Sequence, residues 1–265
     1  MAWHGRFDQK VMVVTGSAQG IGARVAERAA AEGALVVLAD RAPIVHEVVD
    51  KIRSDGGTAH AVEADLEHYE GAQSVVAGAL GQHGRIDILI NNVGGTIWTR
   101  PYEHYEVQHI EDEIRRSLFP TLWGCHAVLP TMIAQGKGVI VNVSSIATKS
   151  IYRVPYAASK GGVNALTNSL ALEAGPKGVR VVACAVGGTE APPRRVPRNP
   201  GGNPFELSEQ DQEWYRAIIT QTTDSTYLGR YGTVHEMVAP ILFLASDEAS
   251  YITGSVLPAG GGDQG

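Results

Sequence analysis

Thr15-Gly16-Ser17-Ala18-Gln19-Gly20-Ile21-Gly22 ends the apolar run Val11–Thr15 and opens directly into an alanine-rich helical pattern. A strand, a glycine turn and a helix in immediate succession make a phosphate cradle. The glycines allow a tight turn, close backbone approach to a pyrophosphate and close helix–strand packing, while the helix N-terminus presents free N–H groups and positive potential. Gly16, Gln19, Gly20, Ile21 and Gly22 are therefore candidate dinucleotide contacts. Eighteen residues beyond Gly22, Asp40 closes the next apolar run. A carboxylate at that place accepts hydrogen bonds from an adenosine ribose diol and repels a 2′-phosphate, so NAD is expected over NADP, with Arg41 beside it softening the preference.

Outward from this turn the same rhythm repeats. Apolar runs at Val11–Thr15, Ala34–Asp40, Thr58–Ala64, Ile86–Asn91, Gly138–Ser144, Val179–Val186 and Ser255–Pro258 are separated by helical patterns. The clearest of these are Gly20–Glu32, Ile44–Asp55, Tyr69–Gln82, a long stretch broken near Pro120 and ending near Gln135, and Tyr156–Ala174. Runs apolar on both faces and joined by helix-length connections are what a buried parallel sheet requires. The expected fold is α/β, a single-domain, Rossmann-type, doubly wound parallel sheet of about seven strands. No internal repeat or second domain interrupts residues 1–265.

Composition narrows the function classes. With 44% hydrophobic and 19% charged residues the chain has ample material for a core, and a net charge of −6 without a basic run argues against a nucleic-acid binder. The two cysteines, Cys125 and Cys184, lie in apolar stretches and form neither a disulfide framework nor a metal cluster. No metal is expected. The first nine residues carry no signal-peptide core, and no stretch approaches the roughly 20 apolar residues of a membrane span. A cytoplasmic protein without a membrane partner is the expectation.

Tyr156-Ala157-Ala158-Ser159-Lys160 opens a helix, so Tyr156 and Lys160 sit one turn apart on one face. A tyrosine of ordinary pKa about 10 is a poor base near neutrality, but an adjacent ammonium and a positively charged nicotinamide stabilise its phenolate. Ser145, eleven residues upstream at a strand end, can hydrogen-bond a reacting oxygen. Asp65 and Asn91 also close strands at the crevice. Asp65 suits an adenine amino group and Asn91 a brace near the ribose, although each also suits a turn or a helix cap.

Thr15–Gly22, Asn91–Gly94, Ser144-Ser145, Tyr156-x-x-x-Lys160, Phe243–Asp247 and Tyr251–Gly254 occur in an order that resembles the short-chain dehydrogenase/reductase family over essentially the whole chain. The resemblance implies Ser145 as stabiliser of the substrate oxygen, with Ser144 as its fallback. It implies Tyr156 as acid/base and Lys160 as the ribose-binding residue that lowers the tyrosine pKa. Gly94 belongs to the cofactor motif, and Thr189 is expected near the nicotinamide amide. The family's relay Asn aligns with Ser117, a departure, and a homotetramer is the expected assembly. Within the family, Asn92–Trp98, Arg115–Trp123 and Gly187–Arg195 resemble cis-dihydrodiol dehydrogenases acting on aromatic acids. That implies a small-molecule diol carboxylate substrate, either benzoate-derived and decarboxylated to a catechol or of p-cumate type with its carboxylate kept. A non-catalytic, NAD-binding sensor on the same fold is the rival from another class.

The rhythm breaks at about 187–215, where Pro192, Pro193, Pro197, Pro200 and Pro204 accompany Arg194, Arg195 and Arg198. An insert of that length is either disordered or a lid, and its position after a strand's carboxyl end favours a substrate lid. Arg194, Arg195 and Arg198, with Arg153 beside the catalytic helix, offer planar forks for a substrate carboxylate. The same arginines also suit solvent or a neighbouring subunit. Trp98 and Tyr152 are candidates to wall a flat diene ring, or are simply core.

Overall fold

The computed structural model describes residues 5–198 and 208–265. The strands are β1 (Val11–Thr15), β2 (Leu35–Asp40), β3 (Thr58–Glu63), β4 (Ile88–Asn91), β5 (Gly138–Ser145), β6 (Val179–Val186), two short ones, β7 (Thr189–Glu190) and β8 (Gly232–Thr233), and β9 (Val256–Ala259). The helices are α1 (Gly20–Ala31), α2 (Val45–Ser54), α3 (Tyr69–His83), α4 (Val107–Ser117), α5 (Phe119–Gln135), α6 (Val154–Ala174), α7 (Glu209–Ser225) and α8 (Val234–Ala245). Seven strands form one sheet in the order β3-β2-β1-β4-β5-β6-β9, with every pairing parallel. The order reverses direction between β1 and β4, and a doubly wound sheet opens its ligand crevice outside the carboxyl ends at that switch point.

Strand alternation explains the two layers. Met12 and Val14 of β1 face a cluster built with Val25, Ala26 and Ala29 of α1, Val45, Val49 and Ile52 of α2 and Val238, Ile241 and Leu242 of α8. Val13 faces the opposite cluster, with Val75 of α3, Val128 and Met132 of α5 and Ala171 of α6. Burial on both faces is why β1 reads as an uninterrupted apolar run. The break near Pro120 falls at Leu118, between α4 and α5, and the proline sits in the first turn of α5 where it costs no helical bond. Helix α6 begins at Val154, two residues before the expected start, with Pro155 in its first turn.

After β6, β7 pairs with β8 in a small parallel ladder, Thr189 opposite Gly232. That ladder fixes the root of the expected lid. Its middle, 199–207 with Pro200 and Pro204, lies outside the described residues. Helix α7 then starts with Ser208 and Asp211 capping each other. No described helix is long and apolar enough to cross a membrane, and both cysteines are buried and free.

Candidate active site

The glycine turn packs as its sequence requires. A Cβ on Gly22 would stand 2.2 Å from the Gly16 carbonyl oxygen, so only glycine lets α1 close on the turn. Gly20 has a positive φ, and a Cβ there would meet only open space. Gln19 makes no side-chain cap to α1, and no acidic residue occupies the first turn, so the helix N-terminus offers its N–H groups to an anion. Bare backbone, an uncapped helix end and a neighbouring carboxylate fit a dinucleotide.

Asp40 stands at the end of β2 and accepts Ala18 N and Ala42 N, each at 3.0 Å, which ties its carboxylate to the cradle. Asp65 caps its own turn by accepting Glu67 N at 3.0 Å and pairs with His68. Asn91 departs from expectation. Its side chain turns inward, 1% exposed, and donates to Asn142 Oδ1 at 3.0 Å and Cys125 Sγ at 3.3 Å. The alternation of β4 explains this, because successive side chains point to opposite faces. The brace is Asn92, whose Nδ2 donates to the carbonyls of Thr15 and Gly16 at 3.0 Å each. Thr189 Oγ1 donates back to Gly187 O within the β7–β8 root.

At the carboxyl end of β5 and the first turns of α6 the structure brings Ser145, Tyr156 and Lys160 together. Ser145 hydrogen-bonds the Tyr156 phenol and also accepts Ala147 N at 3.0 Å. Ser144 is committed elsewhere, donating to Asn164 Oδ1 at 2.6 Å. The Lys160 ammonium lies 5.9 Å from the Tyr156 ring centroid and donates to Val143 O at 2.8 Å. Gly94 passes so close that a Cβ there would lie 3.2 Å from Nζ. Burial pushes the Tyr156 phenol above its ordinary value, and the Ser145 bond and the Arg153 and Arg198 guanidiniums pull it back. Burial lowers Lys160 to about 8. Below that the site keeps an ammonium next to the tyrosine, the arrangement that favours proton transfer from an alcohol.

Ser117 is fully buried on α4. It accepts Gly95 N and donates to Glu113 Oε1, both at 3.3 Å. Glu113 belongs to none of the motifs, yet it is buried on the same helix. The signal was there, since Ile110, Glu113, Ile114 and Ser117 follow the spacing of one helix face, and a carboxylate on that face must be buried.

The arginines divide. Arg195 is held by Glu47 of α2 through two bonds of 2.5 and 2.9 Å. The Gln19 side chain accepts Arg195 N and Val196 N and donates to Val196 O. Arg194 lies exposed on this same segment, within electrostatic reach of Arg198, Asp40 and Arg116. Residues 195–196 are thereby tied to Gln19 at the start of α1, next to the glycine turn. Arg198 donates to Thr96 O at 3.2 Å, and Arg116 donates to Arg198 O at 3.0 Å. Of the four candidate arginines, Arg198 and Arg153 both act electrostatically on the Tyr156 phenol, and Arg153 is the residue that precedes α6. Arg153 donates to Ser150 Oγ at 2.7 Å and interacts electrostatically with Tyr156, Tyr231, Arg198 and Tyr215. Trp98 stacks on His109 at 4.2 Å, and Tyr152 tilts against Trp214.

A nucleotide cradle joined to a Ser–Tyr–Lys constellation on a doubly wound sheet defines a class of dehydrogenase, and a family model described as short chain dehydrogenase matches residues 10–199. The chain belongs to that family and is an oxidoreductase. Among its relatives, 1,6-dihydroxycyclohexa-2,4-diene-1-carboxylate dehydrogenase of Acinetobacter baylyi is 56% identical over 98% of both chains. The protein of the same name from Pseudomonas putida is 56% identical over 98% of this chain and 94% of its own. A solved 7 alpha-hydroxysteroid dehydrogenase complexed with NADH and 7-oxo glycochenodeoxycholic acid superposes with a TM-score of 0.83 at 27% identity, covering 99% of this chain and 97% of that one.

Proposed function

We propose that the protein oxidises 1,6-dihydroxycyclohexa-2,4-diene-1-carboxylate with NAD, yielding catechol and carbon dioxide, as a cytoplasmic homotetramer. The observation that carries the substrate is the 56% identity, end to end, with two dehydrogenases of that diol acid. The Ser145–Tyr156–Lys160 arrangement supports catalysis over the sensor reading, and Asp40 beside the cradle supports NAD over NADP. Gly16, Gln19, Gly20, Ile21 and Gly22 would hold the pyrophosphate, Asp40 and Asp65 the adenosine, and Gly94, Lys160 and Thr189 the nicotinamide half. The nicotinamide supplies the hydride acceptor when bound.

The chain's own residues handle the proton and the orientation. Ser145 holds the oxygen of the secondary alcohol, Tyr156 takes its proton as phenolate, and Lys160 keeps that phenolate charged. The carbinol carbon loses hydride and becomes a ketone beta to the carboxylate. The bond to the carboxylate then breaks, its electron pair forms the enol, and the ring becomes aromatic. Aromatisation draws the sequence forward. Arg153, placed beside Tyr156, is the guanidinium for the substrate carboxylate. Arg194 and Arg195 are assigned instead to the segment that lies over the cofactor end.

Purified protein given NAD and a panel of aromatic-acid cis-diols tests this reading. The expected result is one NADH and one carbon dioxide per 1,6-diol carboxylate consumed, with NADP much poorer. Turnover confined to a p-cumate-type diol, with its carboxylate retained, would overturn the substrate assignment.

A further inference from the structure

Glu113 has no part in the reaction so far, yet it is 0% exposed. Two other buried acids, Glu32 and Asp87, are each paired with an arginine. Glu113 makes no ion pair among the described residues. Its carboxylate accepts Ile97 N at 2.8 Å, Trp98 N at 3.5 Å and the Ser117 hydroxyl at 3.3 Å. Lys160 is in the same condition, 3% exposed, with its ammonium donating to a neutral carbonyl. The two elements meet at Gly94, where a Cβ would touch Lys160 Nζ at 3.2 Å on one side and Ser117 Cα at 3.7 Å on the other. A buried charge without compensation is costly, and the cost falls when an opposite charge lies nearby. The Glu113 charge acts on Lys160 in this sense, and the Arg198 guanidinium acts on Glu113.

We propose that Glu113 is a positioning residue for the oxidation: its carboxylate is the charge partner that keeps the Lys160 ammonium, and with Ser117 it clamps the 95–98 backbone beside the catalytic pair. The inference rests on the assignment of Tyr156 and Lys160 as that pair. The clamp takes three N–H groups of the segment after β4, from Gly95, Ile97 and Trp98. Those bonds join α4 to the strand end that Lys160 approaches. The titratable and charged groups facing Glu113 are Lys160 and Tyr156 from α6, Arg198 from the segment after β6, and Tyr105 from the stretch before α4. Burial raises Glu113 to about 7, while its negative charge raises Lys160 against the lowering effect of burial. Losing the Glu113 charge therefore moves the loss of the Lys160 proton to lower pH.

The test is the pH profile of kcat/KM for Glu113→Gln, which keeps an acceptor for Ile97 N and removes the charge. The alkaline limb is expected to move down by about one pH unit, tenfold in proton concentration, and NADH binding followed by fluorescence should weaken at the same lowered pH. A merely structural role would lower kcat/KM equally at every pH, and an unmoved limb would overturn the proposal. Should Glu113→Gln not fold, Lys160→Met tests the pair from the other side. Without the ammonium, Glu113 must bind its proton more tightly, so its titration, read by the pH dependence of unfolding, moves upward. A titration that stays in place overturns the proposal equally. Tyr156→Phe run in parallel separates the two readings. If it stays active the catalytic assignment falls; if it is inactive and the Glu113→Gln limb is unmoved, only the role of Glu113 falls.

Discussion

Tyr156 carries one oxygen that the phenylalanine ring lacks, and the proposed reaction passes its proton through that atom. Tyr156→Phe is expected to keep NADH binding and to lose about 10²–10⁴ in kcat, the usual worth of a positioned acid/base. Fluorescence titration and single-turnover rates measure the two separately. Arg153→Ala tests the carboxylate fork. Loss of a charge-assisted bond costs about 1.5–3 kcal/mol, so kcat/KM for the diol acid should fall roughly ten- to more than a hundredfold, mostly through KM. A diol without a carboxylate should be nearly indifferent, and Lys should rescue only in part because a point charge lacks the planar fork. Equal losses on both substrates would assign Arg153 to holding Ser150 and the start of α6. At this scale the sequence was legible where chemistry is local. Tyr156 and Lys160 are one turn apart, and the cradle is eight consecutive residues. The partners of Arg195 and Asn91 were not legible, since Glu47 and Asn142 lie 148 and 51 residues away in sequence. Only the folded sheet brings those residues together.

Element packing ties the segment after β6 to the glycine turn. Gln19, at the start of α1, makes two side-chain contacts of 3.0 Å with Arg195 N and Val196 O, and these tie residues 195–196 across the glycine turn. Gln19→Ala removes both. At about 0.5–1.5 kcal/mol each, their loss should increase opening of this segment by several-fold to more than a hundredfold. Limited trypsin digestion after Arg194, Arg195 and Arg198 reads that opening, with bound NADH as the protected reference. Glu47→Ala should change the digestion little, because an exposed ion pair contributes little in water. An effect of Glu47→Ala larger than that of Gln19→Ala would locate the tether at α2. The strands were legible because β1, β2, β5 and β6 are apolar on both faces. Helix α8 was not assigned from the pattern, since its near-continuous apolar run Val238–Ala245, broken by Pro240, shows no polar face.

For the whole molecule, the cradle after β1, the 95–98 segment after β4 and Ser145 at the end of β5 all lie at the carboxyl ends of neighbouring parallel strands. The doubly wound class was readable from seven apolar runs, but the position of the switch point, between β1 and β4, is a property of the assembled sheet. Enclosing Glu113 there has a cost that stability measurements can read. Its carboxyl is raised from an ordinary 4.5 to about 7, so between these values the folded protein holds a proton that the unfolded chain has released. The unfolded state then binds fewer protons, and the stability contributed by this group falls as pH rises, by up to about 1.4 kcal/mol per pH unit. Glu113→Gln has no such titration. Wild-type stability minus that of Glu113→Gln should therefore decline from pH 4.5 to about 7 and level off above it. Urea unfolding at fixed protein concentration measures the difference without the drift that subunit association would introduce. A gap that stays constant across this range, or widens in favour of the wild type as pH rises, would mean that Glu113 is ionised throughout. In that event burial would not be setting its proton affinity, and the donors at Ile97, Trp98 and Ser117 would suffice to hold the charge.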